Sequence, residues 1–352
     1  MYNSIRSSLR ILTLILILPV ILFSGCSTSG TPVSKGGKTP LWVTDKNAVY
    51  PPEKYLAEVG EGDSLKEAKS DAAGNIAAIF RTRIQVDNTI QTRYSEITGD
   101  NNAVLSISGS TDIDQSITQT SDESLINLKY GESWTDSYGR TYVIAYIDRM
   151  ESGNIYRKRI TDNDSRVTAY LKKSGSTDNL MARFAFIDAA NVISSANKIL
   201  LEQLEIINLP MARSVLLSYD PDNIALEKKK AAENIQIKVE VSGDEEGKIS
   251  AVLSDWLVSR GFKADDNGNF FLSGVVNSYP VELNNDYENI GWDINVSLMD
   301  SNGFQIFYLT GKGRSSGVSK SAAEARTFSD IEKLLKKELN RKFNLYLDSF
   351  IN

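Results

Sequence analysis

The chain lacks the histidine side chain on which much ordinary enzyme chemistry depends. It contains no histidine, and Cys26 is its only cysteine. A Ser-His-Asp or Cys-His nucleophile system cannot form, because the general base is missing. A zinc site with histidine ligands is excluded on the same ground, and a lone cysteine forms neither a thiolate site nor a disulfide within the chain. Carboxylate pairs and serine–lysine pairs remain as the chemistry to look for.

Cys26 lies where this residue type has a definite chemical role. Two arginines near the N-terminus precede an apolar stretch over residues 11–23. That stretch has the length of the apolar region of an export signal and is short of the roughly 20 residues that a membrane-spanning helix needs. We therefore interpret residues 1–25 as a signal peptide.

The sequence from Leu22 to Cys26 resembles the lipobox of bacterial lipoproteins. The resemblance implies diacylglycerol on the thiol, signal cleavage between Gly25 and Cys26, and acylation of the new amine. Acyl chains contribute about 0.8 kcal/mol per buried CH₂ and give stable anchoring when several are present. Ser27 follows the cysteine, which in double-membrane bacteria favours the outer membrane. We expect an outer-membrane lipoprotein facing the periplasm; the alternative is an ordinary signal peptide with an incidental cysteine.

Three carboxylates near the ends of predicted strands are the candidates for catalysis: Glu132, Asp136 and Asp148. Most glycosidases place two carboxyl groups on either side of the scissile bond. The sequence alone brings no two of these three to such a separation. A carboxylate-based cell-wall hydrolase is therefore an alternative to a non-enzymatic function.

Two glycine-rich segments could contact phosphate groups. Gly60 and Gly62 have acidic neighbours and lack the third glycine of a dinucleotide loop, which predicts a plain tight turn. The segment from Gly311 to Arg314 is basic and could meet an anion at a helix N-terminus, although it lacks the Gly-Lys-Ser/Thr of a P-loop. We expect no cofactor and no metal site.

The charge balance limits the partners. The formal net charge is −6, whereas phosphate binding needs clustered lysine and arginine, so no nucleic acid is expected. The expected partners are the membrane, through the N-terminal lipid, and envelope proteins or further copies of the chain.

The segment after the signal peptide alternates strands and helices. Ser64 and Glu67 form a capping-box pattern that predicts a helix start. The run from Thr141 to Ile147 is β-branched and aromatic, which predicts a central strand. The predicted elements are strands over 55–60, 83–86, 128–134 and 141–147, and a helix over 65–80. The polar segment 87–126 is expected to form one or more helices, with a mobile loop as the alternative.

This order of motifs resembles the Lpp-twenty type of lipoprotein domain, which is related to the N-terminal domain of the flagellar assembly protein FlgT. The motifs are Trp42-Val43, the strand and turn over 55–62, the Ser64 helix start, and the segments 132–136 and 139–149. The resemblance covers about residues 41–150. It implies a small α/β domain of a membrane-associated lipoprotein and supplies no catalytic residues.

The rest of the chain predicts helices followed by a second α/β unit. Helices over 155–173 and 179–207 form an antiparallel pair, and a third over 224–234 leads onward. The last unit has the order β-α-β-β-β-α and resembles, at the level of pattern, domains of the CsgG and TolB N-terminal type. Its elements are strands over 235–241, 270–279, 292–299 and 304–311, and helices over 248–260 and 319–349.

The prediction as a whole is an α+β fold of two small α/β sandwich domains, each with an antiparallel or mixed sheet and packed helices, joined by a helical spacer. The four tryptophans are expected in the core: Trp42, Trp134, Trp256 and Trp292. We expect a non-enzymatic scaffold in flagellar, secretion or cell-wall assembly, with a small-ligand carrier as a further alternative. The boundaries are signal peptide 1–25, flexible tether 26–40, first domain 41–150, helical spacer 151–232 and last domain 233–352.

Overall fold

The computed structural model describes residues 33–35, 37–84, 88–99 and 126–351. Its fold is α+β, as predicted, with helices packed on two β-sheets. The predicted signal peptide, Gly25 and Cys26 lie outside the described residues. The division into separate domains stays a prediction.

Four strands of the described chain form the first sheet: β1 (Val33–Lys35), β2 (Tyr55–Gly62), β3 (Lys129–Thr135) and β4 (Thr141–Asp148). Their order is β1-β3-β4-β2. The strand predicted over 141–147 is therefore central, and Val143, Ile144 and Ala145 are fully buried. Two short helices, α1 (Leu41–Thr44) and α2 (Lys46–Val49), precede β2.

Strand β1 comes from the segment that was expected to be a flexible tether. It pairs in parallel with β3, with Val33 opposite Ser133 and Lys35 opposite Thr135. Residues 33–35 are thus hydrogen-bonded to a sheet edge, which differs from a free tether over the whole of 26–40. Backbone pairing stabilises this strand without the apolar alternation that predicts strands from sequence.

Helix α3 (Leu65–Arg81) packs on the first sheet. The predicted cap is confirmed, since Ser64 Oγ accepts a hydrogen bond from the Glu67 amide at 3.2 Å. The Glu67 carboxylate accepts from the Asp63 amide at 2.9 Å, one residue further back than the usual capping box. A Cβ on Gly60 would lie 2.1 Å from the Ala72 amide nitrogen, so glycine permits the close approach of β2 and α3.

Helix α4 (Asn88–Thr98) lies within the polar segment for which helices were predicted. Four further helices follow the first sheet: α5 (Arg149–Gly175), α6 (Leu180–Ile207), α7 (Leu209–Ser214) and α8 (Pro221–Glu233). The long pair α5 and α6 is joined by a short turn and packs side by side, as expected for the helical pair.

Helix α6 contributes to both hydrophobic cores. Phe184 and Ile187 lie in the core of the second sheet, while Ile193 and Leu200 lie with α3 in the core of the first. By length and composition α6 could span a membrane, but 72% of its most apolar window is buried within the fold. It is therefore the shared core helix of the molecule.

The second sheet comprises strands β5 (Gln236–Ser242), β6 (Lys263–Ala264), β7 (Phe270–Pro280), β8 (Glu288–Asp300) and β9 (Gln305–Gly317). Among the described residues their order is β6-β5-β7-β8-β9, with β5 parallel to β6 and β7 and the remaining pairs antiparallel. Helices α9 (Lys248–Ser259) and α10 (Lys320–Ile351) pack on it through residues such as Leu253, Leu335 and Phe343.

The sequence predicts hairpin turns at Asn267-Gly268 and at Ser301-Asn302-Gly303, and the second of these is confirmed. Gly303, with φ of +79°, lies in the turn between β8 and β9. The turn at Asn267-Gly268 instead leads from β6 to β7, and these strands flank β5. A Cβ on Gly268 would lie 2.7 Å from the Lys238 amide nitrogen, so this turn passes close over the β5 backbone. The hairpin expected there is wrong, because β6 is too short to be visible in the sequence.

The prediction for the tryptophans is confirmed. Trp42, Trp134, Trp256 and Trp292 are between 3% and 7% exposed. Trp42 and Trp134 lie in a small cluster on the first sheet, and Trp256 and Trp292 lie in the core of the second.

Candidate functional site

Glu132 is engaged in holding α1 on the first sheet. Its Oε2 accepts a hydrogen bond from the Trp42 indole Nε1 at 3.0 Å. Trp42 is itself only 3% exposed. The carboxylate therefore satisfies the polar atom of a buried aromatic ring, which is a structural role.

Asp136 and Asp148 also serve the local backbone. Asp136 Oδ1 accepts from the amides of Tyr138 and Arg140, at 2.9 and 2.8 Å, and fixes the hairpin turn. Asp148 caps α5 by accepting from the amides of Met150 and Glu151, both at 2.9 Å.

The sheet keeps the three carboxylates apart. Asp136 lies in the turn before β4 and Asp148 is the last residue of that strand, so their backbones are on the order of 23 Å apart at strand spacing. Glu132, in β3, lies roughly 13 Å along the sheet from each. Catalytic carboxyl groups of glycosidases lie about 5–10 Å apart. The structure therefore does not assemble these residues into a catalytic pair.

The basic segment from Gly311 to Arg314 lies inside β9, several residues before α10 begins. The segment therefore does not lie at a helix N-terminus, where it could have met an anion. The glycines instead leave room for side chains: a Cβ on Gly311 would lie 2.0 Å from Leu334, and one on Gly313 would lie 2.4 Å from the Trp292 indole.

A partly buried ionic cluster, which sequence reasoning missed, joins α4 to the helices of the second unit. We use "ionic cluster" for Arg93, Glu96, Asp188, Lys228, Arg260 and Asp348. Arg93 donates to Asp348 through two nitrogens at 2.9 and 2.6 Å, and to Glu96 at 3.0 Å. Arg93 is 7% exposed, so these charges interact where water screens them weakly.

Asp188 occupies the centre of the cluster and is 4% exposed. Lys228 Nζ lies 2.7 Å from its Oδ1, and Arg93 Nε lies 4.0 Å from its Oδ2. Burial raises the pKa of Asp188, but Lys228, Arg260 and Arg93 together outweigh burial and lower it below its usual value. Asp188 is therefore a carboxylate that the surrounding cations hold ionised.

Arg260 completes the cluster from the end of α9. Its guanidinium donates to Asn344 at 2.6 Å and lies 5.0 Å from the centre of the Phe343 ring. Burial lowers its pKa, and Asp188 partly offsets that effect. The cluster holds three cations and three anions, so its charges balance internally. Its chemistry suits the joining of helices rather than catalysis.

A metal site in a protein needs several ligand side chains grouped around one point. Over the described residues, no three His, Cys, Asp or Glu side chains are grouped so that they could hold a metal ion. A cavity of about 290 Å³ opens beside the ionic cluster and is lined in part by Phe184, Asp188, Lys228 and Arg260. It is small for the ligand pockets of proteins, which measure about 300–1,000 Å³.

The first sheet, with its capped helix and central strand, lies largely within a segment that matches a known family. Residues 40–148 match the LPP20 lipoprotein family. The resemblance predicted for 41–150 is thereby confirmed, and we call residues 40–148 the LPP20 segment. The match indicates a lipoprotein of the cell envelope.

Several solved structures are similar to the chain, among them the following two. The secreted protein HP1454 from Helicobacter pylori has 13% identity and a TM-score of 0.37, over 84% of this chain and 97% of that one. A minor lipoprotein from Acinetobacter baumannii has 14% identity and a TM-score of 0.23, over 33% of this chain and 92% of its own. Comparison with curated proteins gives no match.

Proposed function

We propose that this protein is a lipid-anchored lipoprotein of the outer membrane that faces the periplasm and acts as a non-enzymatic scaffold in an envelope assembly. The anchor is assigned to Cys26, which ends the lipobox. The LPP20 match supports the envelope location. The scaffold role concerns the body of the protein that follows the anchor.

The scaffold role is inferred from one observation: the two sheets and their helices are packed into a single body. Helix α6 lies in both cores, and the ionic cluster links the LPP20 segment to α10. A body tied by a continuous helix and buried ion pairs holds its outer surfaces at fixed distances, as a scaffold requires. Its three candidate catalytic carboxylates are engaged in structural hydrogen bonds.

The position of β1 limits the distance between the folded body and the membrane. Six residues lie between Cys26 and Val33, so seven Cα-to-Cα steps separate them. Fully extended, they reach about 25 Å. Because β1 is paired to β3, the lipid-bearing cysteine would keep the edge of the first sheet within that distance of the membrane.

Affinity purification from crosslinked envelopes tests this function. The bait is the full chain with a C-terminal tag, expressed in its own host. The matched control carries residues 1–40 fused to an unrelated soluble domain, so it has the same signal and anchor without the body. The proposal predicts one or more envelope proteins, or further copies of this chain, that crosslink to the bait and not to the control. Equal recovery with both would overturn it.

A further inference from the structure

An open cleft of about 820 Å³ lies at one end of the second sheet. It is bounded by the loop at 243–247, the end of β7, the start of β8 and the first turns of α10. Its volume falls within the range of protein ligand sites. The cleft is separate from the ionic cluster and from the LPP20 segment.

The lining of the cleft carries more acidic than basic side chains. It includes five carboxylates and two lysines: Asp244, Glu245, Glu246, Glu288, Glu324, Lys248 and Lys320. Glu246 pairs with Lys248, and Glu324 lies 3.8 Å from Lys320. Within the described part of the chain, this leaves Asp244, Glu245 and Glu288 without an ion-pair partner. The cleft therefore has a negative charge that its own lysines do not neutralise.

A buried hydroxyl group of the cleft lacks a hydrogen-bond partner within the described chain. Thr327, on α10, is 7% exposed and lines the cleft, and its Oγ1 has no hydrogen-bond partner among the described residues. Unpaired buried polar groups are uncommon, because each loses its hydrogen bonds to water without replacement. Oγ1 is itself shielded from solvent, so rotation of the Thr327 side chain toward the cleft would bring this oxygen to a ligand that carries a donor.

The aromatic residues of the cleft fit a cation. Tyr279 is 52% exposed and its ring is held close over Gly291, where a Cβ would lie 2.4 Å away. Phe328 already accepts an ammonium group, since Lys248 Nζ lies 5.6 Å from its ring centre. Aromatic faces attract ammonium and guanidinium groups. The cleft thus combines aromatic rings, a free acceptor and unneutralised carboxylates.

We propose that this cleft binds a lysine or arginine side chain presented by an extended segment of a partner protein. The carboxylates attract the cation, Tyr279 and Phe328 contact its alkyl stem and head, and Thr327 accepts one of its hydrogen bonds. The inference deepens the proposed scaffold role by giving the chemistry of one partner. It does not depend on the lipid anchor.

The test is fluorescence anisotropy with the full chain purified in detergent. The probe is a labelled peptide of glycine and serine that carries four lysines, and the comparison peptide carries four glutamates. We expect the lysine peptide alone to bind, and its affinity to fall as salt increases. Binding of both peptides alike, or of neither at low salt, would contradict the proposal.

Substitutions locate the binding. The double variant Glu245→Gln/Glu288→Gln is expected to weaken binding about tenfold or more. The control Glu202→Gln/Glu205→Gln removes the same charge from α6, outside the cleft, and is expected to leave binding within about twofold. Thr327→Val, which removes the hydroxyl at nearly constant shape, is expected to weaken it about threefold. Equal affinity for the cleft and control doubles would overturn the proposal.

Competition with spermidine shows whether the cleft prefers a free polyamine or a lysine-bearing protein segment as its ligand. If spermidine binds more tightly than the lysine peptide, the ligand is a small amine and the partner segment is wrong. If the peptide binds more tightly, the segment is supported. If no binding is found in these titrations, the crosslinking result still stands. The cation-binding cleft and the scaffold role can therefore be disproved separately.

Discussion

Arg93 and Asp348 are 255 positions apart in the chain and are joined by two hydrogen bonds, of 2.9 and 2.6 Å. Their side chains are 9% and 14% exposed. The pair connects α4, in the LPP20 segment, with α10 at the other end of the sequence. A buried ion pair is costly to break, because the partner that remains loses its compensation.

Arg93→Met is therefore expected to lower the free energy of unfolding by about 3 kcal/mol. The variant removes the charge that faces Asp348, Glu96 and Asp188 together. Urea unfolding followed by the fluorescence of the four buried tryptophans measures the loss.

Lys158→Met is the matched control for Arg93→Met. Lys158 pairs with Asp162 on the surface of α5, and its side chain is 76% exposed. Exposed pairs contribute roughly 0–1 kcal/mol, so this variant is expected to change stability by less than about 1 kcal/mol. Similar losses of unfolding free energy in the two variants would show that the ionic cluster stabilises the fold no more than an exposed ion pair does.

Asp188 predicts a dependence of stability on pH. Its pKa in the folded state lies below the ordinary value of 3.8, because Lys228, Arg260 and Arg93 outweigh the effect of burial. A lowered carboxyl pKa contributes stability that is fully present above the unfolded value and is lost as pH falls through the folded value. The contribution of Asp188 should therefore decline below about pH 4.

Comparison with Asp188→Asn isolates this contribution. The difference in unfolding free energy between the two proteins should be constant from pH 7 to pH 5 and should shrink below pH 4. Urea titrations at each pH provide the measurement. A difference that is unchanged down to pH 2 would mean that Asp188 is not held ionised by the cluster.

Gly60→Ala is expected to destabilise the protein by about 2 kcal/mol. The new Cβ would lie 2.1 Å from the Ala72 nitrogen and 2.4 Å from the Ala68 oxygen, both backbone atoms of α3. Helix and strand would have to separate. Thermal or urea unfolding of the purified chain gives the size of the effect.

Gly74→Ala is its control within α3. A Cβ there meets nothing within 4 Å, and alanine in a helix interior is about 0.5–1 kcal/mol better than glycine. Gly74→Ala should therefore raise the free energy of unfolding, whereas Gly60→Ala should lower it. A stabilising Gly60→Ala would show that β2 and α3 are not packed as closely as described.

Local features of the sequence predicted those elements that carry their own signals. The capped helix α3 is marked by Ser64 and Glu67, and the central strand β4 by a continuous β-branched and aromatic run. Burial of the tryptophans followed from the same patterns. In these segments local preference and tertiary packing favour the same structure.

Features that depend on distant partners could not be predicted. Arg93 lies in a polar segment, and only the fold brings it to Asp348. Strand β1 forms because its backbone can pair with the free edge of β3. Gly311 and Gly313 suggested a turn before a helix, yet they lie in β9 beside Leu334 and Trp292, side chains whose proximity the sequence does not reveal.

The proposed non-enzymatic function makes a direct prediction about the cell wall. Because Glu132, Asp136 and Asp148 are spread along the sheet, the purified chain should leave a peptidoglycan digest unchanged after incubation. Chromatography of the muropeptides before and after incubation is the measurement. A new product that disappears with Glu132→Gln would restore the hydrolase as the function.

Mass spectrometry of the N-terminal peptide tests the lipid anchor, on which the proposed location and function depend. The protein is purified from its host's membranes and digested, and the mass of the first peptide is compared with that of the unmodified sequence. The account predicts a chain that begins at Cys26 and carries diacylglycerol and an acylated amine. A free thiol at Cys26, or a chain that begins at another residue, would contradict it.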